Sequence, residues 1–169
     1  MLRPDSSGPP AGARHAGATI KRVVVKGSFH GRTERPAIFS DSSRKNYVQH
    51  LASFRDEHSV IAVAPYDVDA LTQVFADAEA HGWFIEAMFL EPVMGEGDPG
   101  RAVPRAFYDA ARALTKAHGS LFLIDSIQAG LRAHGVLSVV DYPGFAGAEP
   151  PDMETYSKAI NAGQYPLSV

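Results

Sequence analysis

Apolar positions along this chain fall into short β-branched runs separated by amphipathic stretches, so the pattern alternates between strand and helix. Arg22-Val23-Val24-Val25-Lys26, stopped by Gly27, predicts a strand, and so does Val60-Ile61-Ala62-Val63. Beyond the turn at Pro65-Tyr66-Asp67, Leu71, Val74, Phe75 and Ala78 recur at helical spacing. They predict a helix from about Asp69 to His81, capped by Asp67 or Asp69 and ended by Gly82. Trp83 to Leu90 predicts a third strand with Glu86 as its odd residue. Pro104 opens a helix to His118, with Phe107, Ala111 and Leu114 on one face and Gly119 as terminator. Leu121 to Ile124 is a further strand, ending in Asp125. The pattern between residues 34 and 59 is weak, with one short helix expected around Lys45 to Phe54.

Strands alternating with helices, and joined by loops rather than tight hairpins, predict an α/β fold with a mostly parallel sheet flanked by helices. Ligands of such sheets sit at the carboxyl ends of the strands. Glu91, Asp125 and the loop after Lys26 fall at such ends. Residues 1–19 are rich in Pro, Gly, Ser and Ala and bury too little apolar surface to offset ordering entropy. They are expected to be a disordered leader, with His15 a bystander, ahead of one domain at 20–169.

The bulk numbers exclude more than they assign. A formal charge of −3 supplies no basic field for nucleic acid or an anionic membrane. With no cysteines, disulfides and thiolate metal sites are out, which fits a reducing compartment; a cytoplasmic location is the default expectation. His50 and His58 lack partners at metal-ligand spacing, and no metal is expected.

Gly95, Gly97 and Gly100 spell G-x-G-x-x-G after a strand, but a dinucleotide site needs a helix to start within the glycines. Pro99 and Pro104 interrupt that start, and Glu96 and Asp98 place negative charge where a phosphate would lie. No G-x-S-x-G elbow or H-E-x-x-H occurs. More informative is Thr155-Tyr156-Ser157-Lys158-Ala159-Ile160, a lysine downstream of the strand-end Asp125. Singly, such an aspartate commonly caps a turn and such a lysine is commonly solvated. A buried amine and a buried carboxylate are both costly unless something lies between them, and a pyridine-ring aldehyde would satisfy both.

Four ordered motifs carry a family resemblance. Gly27-Ser28-Phe29-His30-Gly31-Arg32-Thr33 is similar to an F-H-G-R-T loop, and Glu91-Pro92-Val93-Met94-Gly95-Glu96-Gly97 to E-P-x-x-G-E-G. Asp125-Ser126-Ile127-Gln128-Ala129-Gly130 resembles D-E-V-Q-T-G, and Ser157-Lys158-Ala159 resembles S-K-A. Together they resemble the class III aminotransferases of the pyridoxal 5'-phosphate (PLP) fold-type I superfamily, over about Val23 to Val169.

The resemblance implies amino transfer from an amino acid or ω-amino donor to a keto acid, in a family whose full-length members are homodimers. Lys158 would form the Schiff base with the cofactor aldehyde and then move protons. Asp125 would hold the ring nitrogen, Gln128 the ring hydroxyl, and Phe29 would stack on the ring with His30 beside it. Glu96 resembles the glutamate that pairs with a substrate-gating arginine, and Glu91 would lie behind Asp125.

Ser126 stands where the family has glutamate, Leu131-Arg132-Ala133-His134-Gly135 where it has a G-R-T-G-type run, and Asn161-Ala162-Gly163 in place of a more glycine-rich turn. The family's phosphate-holding loop is expected before Val23 and its C-terminal domain after Lys158, so the chain resembles the middle of the large domain. A catalytically inactive fragment or pseudoenzyme, and a PLP racemase or mutase, are alternatives the motifs leave open.

Overall fold

The computed structural model describes residues 14–55, 58–162 and 164–169. Five strands form one sheet in the order β2-β1-β3-β4-β5: β1 (Thr19–Val25), β2 (Val60–Val63), β3 (Trp83–Leu90), β4 (Leu121–Asp125) and β5 (Met153–Thr155). Every strand pair is parallel, as the alternation predicts. Because helices cross over its faces, the central strands read as near-continuous apolar runs.

Two long helices, α3 (Val68–His81) and α4 (Arg105–His118), cover one face. Leu71, Phe75 and Ala78 of α3 and Phe107, Tyr108 and Ala111 of α4 pack on Val23, Val25, Ile85, Met88, Leu90, Phe122 and Ile124. Each such large side chain taken from water contributes about 1.5–3 kcal/mol. The Asp67 carboxylate caps α3 by accepting from Ala70 N–H at 2.9 Å. Gly82 and Gly119 end the two helices in the left-handed region, φ 67° and 76°, which costs glycine no side-chain clash.

On the opposite face lie two short helices, α1 (Glu34–Phe39) and α2 (Asp41–His50), where one was expected. Phe39 of α1 stacks on Phe89 of β3 with centroids 4.6 Å apart. The rest of this face is an open apolar groove of about 470 Å³ along Ala87, Phe89, Leu121, Leu123 and Met153.

The chain approaches β5 through a polar brace. Arg112 of α4 donates to Asp152 at 2.9 Å and pairs with Glu149 at 3.2 Å, while Asp152 accepts from Phe122 N–H at 2.8 Å. These contacts hold β5 against β4, in the register Ile124↔Glu154 and Asp125↔Thr155.

The amino-terminal expectation changes in part. Residues 1–13 lie outside the described residues, but Arg14–Gly17 form a turn and β1 already begins at Thr19. His15 is no bystander: it stacks on Phe84 with centroids 3.5 Å apart. No helix among the described residues is long and apolar enough to cross a membrane.

Candidate active site

The carboxyl ends of β1, β3 and β4 bring two buried carboxylates together. Glu91 directly follows β3 and Asp125 ends β4; since Leu90 pairs with Ile124, the two stand at the same height on the sheet. Both are nearly inaccessible, 3% and 7% exposed.

Glu91 ties two loops. Its Oε1 accepts from Phe29 N–H at 2.7 Å, and its Oε2 from Gly95 N–H at 2.9 Å. Burial pushes its pKa above the ordinary value, against the pull of those two amides and of His30. The same loops meet at Gly97, whose N–H donates to the Gly27 carbonyl at 3.0 Å. A Cβ at Gly97 would fall 2.4 Å from that carbonyl oxygen, so glycine is required there for close approach. Gly97 of the G-x-G-x-x-G run thus serves loop packing, and the helix that follows starts only at Arg105.

Asp125 holds the histidine of the first motif. His30 Nδ1 is 2.9 Å from Asp125 Oδ2, and Ile127 N–H donates to Oδ1 at 3.2 Å. In this contact the ring N–H donates and the carboxylate oxygen accepts. The His30 side chain is 3% exposed, and its Nε2 is buried without a hydrogen-bond partner. Ser40, at the junction of α1 and α2, fixes the loop: its Oγ accepts from His30 N–H at 2.9 Å and donates to the Gly31 carbonyl at 2.8 Å. Sequence reading missed Ser40, for which a serine in a polar stretch gives no signal. A cavity of about 270 Å³ opens beside the pair, between Phe39, Phe89, Ile127 and Thr155.

The remaining predicted residues do not line the cavity of the His30–Asp125 pair, and Gln128 borders a separate pocket with Met94 and Gly95. Gln128 Nε2 donates to Glu96 Oε1 at 3.5 Å, and the Gln128 amide fills the space a Cβ at Gly95 would need. Phe29 is half-buried, with the Arg32 guanidinium 5.6 Å from its ring centroid. Lys158 opens a 3-10 turn (Lys158–Asn161) beyond β5. Thr155 is the register partner of Asp125, so three residues of chain at about 3.3 Å each and a strand spacing of about 4.8 Å keep the Lys158 Cα within roughly 15 Å of Asp125. Lys158 is exposed, because its turn lies past the edge strand of the sheet.

Open parallel α/β sheets take their ligands outside the carboxyl ends of the strands, and it is at that edge that the His30–Asp125 pair lies, with Lys158 just past the last strand. The sequence model of the family described as Aminotransferase class-III matches residues 11–169. The chain belongs to the class III aminotransferase family. It is 34% identical over 145 residues to the acetylornithine aminotransferase of Mycolicibacterium smegmatis, covering 85% of this chain and 33% of that one. Ornithine aminotransferase 2 of Staphylococcus aureus is 32% identical over 149 residues, with 87% and 33% covered. Among solved structures, the ornithine aminotransferase of Toxoplasma gondii, described with partial occupancy of PLP at its active site, superposes with a TM-score of 0.71 at 25% identity. That match covers 89% of this chain and 32% of the other. The chain therefore spans about a third of the length of the relatives it matches.

Proposed function

We propose that this chain is the central, PLP-holding part of an aminotransferase that moves an amino group from an amino acid or ω-amino donor of the ornithine type to a keto acid. The observation that carries the proposal is the buried His30–Asp125 pair at the end of β4, with a lysine three residues past the register partner of Asp125. The residues fit the cofactor at two points. Asp125 accepts from two donors where a carboxylate has about four acceptor positions, leaving capacity for a ring N–H. His30 Nε2 is a buried polar atom with no partner.

When bound, PLP supplies an aldehyde for amine exchange and a ring that withdraws electrons from the reacting carbon. Asp125 would face the ring nitrogen and keep its proton in place. His30 donates Nδ1–H to that carboxylate and fixes its orientation. Lys158 would offer its amine to the aldehyde and then carry the proton at Nζ. Glu91 holds the backbone of the loop bearing Phe29 and His30, so the stacking side chain keeps its position. Gln128 would meet the ring hydroxyl and Glu96 the substrate side. The whole enzyme is proposed to be a homodimer; the absence of cysteine fits a reducing compartment such as the cytoplasm.

Exposed Lys158 favours a second reading, in which this segment alone takes up cofactor without turnover. The test for both is to add PLP to the purified chain, reduce with borohydride, map the label, and assay amino transfer. Label concentrated on Lys158 and lost in Lys158→Ala is expected. Label spread over surface lysines overturns the assignment, and turnover by the chain alone overturns the second reading.

A further inference from the structure

A cluster of partly buried polar groups not used above lies on the face of the sheet opposite Asp125. The Glu154 carboxylate gathers donors from three separate segments. Ser126 Oγ, next in the chain to Asp125, donates to Oε1; Val139 N–H donates to Oε1 at 3.1 Å; Ser138 Oγ donates to Oε2 at 2.8 Å. The Tyr156 hydroxyl is tied to the same group: its pKa is pushed up to about 12, first by burial and then by the charge of Glu154 and a hydrogen bond to it. These four donors are neutral, and together they fill about the acceptor capacity of one carboxylate.

What the four donors have in common is position. Ser126 follows Asp125, Ser138 and Val139 lie midway along the connection between β4 and β5, and Tyr156 stands two residues before Lys158. The Ser126 N–H also donates to the Thr155 carbonyl at 3.0 Å, so backbone and side chain stitch the same junction. Beyond it the backbone is held in an uncommon shape: Lys158 has φ 48°, in the left-handed region, which a residue with a Cβ keeps only where its surroundings enforce it.

We propose that Glu154 is a positioning residue: it clamps the segment carrying Lys158 to the end of β4, so that the lysine amine and the Asp125 carboxylate keep one relative placement. This rests on the reading of Lys158 and Asp125 as the two cofactor contacts. Glu154 itself faces the α4 side of the sheet, as does its register partner Ile124, and touches no reacting atom. It acts through Ser126 in one direction and Tyr156 in the other.

The experiment uses the whole chain and Glu154→Gln, which keeps the shape but offers one carbonyl oxygen where there were two charged ones. Two readouts are taken: hydrogen exchange without cofactor, and the share of borohydride-fixed PLP label that lands on Lys158. Exchange at the Ser126, Gly130 and Tyr156 amides is expected to rise at least tenfold with α4 amides unchanged, and the Lys158 share of label to fall at least tenfold relative to Lys116. Unchanged exchange at those amides overturns the clamp. Faster exchange with an unchanged Lys158 share overturns its role in positioning. If Glu154→Gln loosens α4 as well, the double variant Ser126→Ala, Ser138→Ala is put through both readouts and decides by the same criteria. If the unsubstituted chain shows no preference for Lys158, the cofactor reading fails, and the exchange result alone decides whether Glu154 ties β5 to β4.

Discussion

Replacing Glu91 by glutamine probes how the two site loops are held. Its two carboxylate oxygens take the Phe29 and Gly95 amides at 2.7 and 2.9 Å. A glutamine of the same shape has one acceptor oxygen, and its NH₂ must face the other backbone N–H. One amide at a 3% exposed position then goes unmet, a cost of roughly 1–3 kcal/mol. The surviving bond loses its charge assistance, about another 1 kcal/mol. Against this, glutamine carries no charge to desolvate, the effect that lifts the Glu91 pKa. A net loss of about 1–3 kcal/mol follows, which for a chain of this size lowers Tm by roughly 2–12 °C. The pH dependence has a definite sign. With its folded pKa raised, Glu91 binds a proton more tightly in the native state. The contribution of Glu91 to native stability is therefore fully present below the ordinary value of 4.5 and is lost as pH rises through the raised one. The glutamine variant lacks this slope, so the gap between the two proteins is widest at acid pH. Urea unfolding from pH 4 to 8, with hydrogen exchange at Phe29 and Gly95, measures both effects. A variant within about 0.5 kcal/mol of the original, with both amides exchanging at the original rate, would refute the reasoning.

Other expectations follow from single contacts. Gly97→Ala should cost about 1–3 kcal/mol by overpacking, since its Cβ meets the Gly27 backbone at 2.4 Å; Gly95→Ala should cost less, because the atoms it meets belong to the movable Gln128 side chain. Equal losses in denaturant titrations would count against this. Tyr142→Phe should leave stability unchanged or raise it by up to about 1 kcal/mol, as it removes a buried hydroxyl without a partner and keeps the ring; a clear loss would reveal a missed bond. Asp67→Ala should cost about 1 kcal/mol through the lost cap of α3, read by thermal melting. Burial raises the Tyr66 phenol to about 12, so its neutral form is retained in the native state and stability should drop between pH 10 and 12; Tyr66→Phe should flatten that part of the pH curve.

The parts of the fold legible in the sequence were those whose side chains meet the core. α3 and α4 showed their apolar faces because Leu71, Phe75, Phe107 and Ala111 are buried. α2 has no buried residue, so hydrophobic spacing fixed neither of its ends: a helix was expected around Lys45 to Phe54 where Asp41–His50 forms, and α1 before it was not foreseen. β5 was missed because Met153-Glu154-Thr155 is three residues long and paired on one edge only. At the site, Glu91 and Asp125 were visible as carboxylates terminating apolar runs. Their partners were not: Glu91 is satisfied by main-chain amides, which every residue has, and Ser40 and Glu154 act on segments distant in sequence. The exposure of Lys158 was unreadable for a related reason, since it depends on which strand is the sheet edge.

The sheet order also sets a timetable for synthesis. Of these five strands β1 leaves the ribosome before the others, yet in the finished sheet it lies between β2 and β3. At about 5–20 residues per second, several seconds pass between Val25 and Trp83. For that interval the nascent chain displays a Val-Val-Val strand with an open flank, which is the window in which a ribosome-bound holdase would protect it.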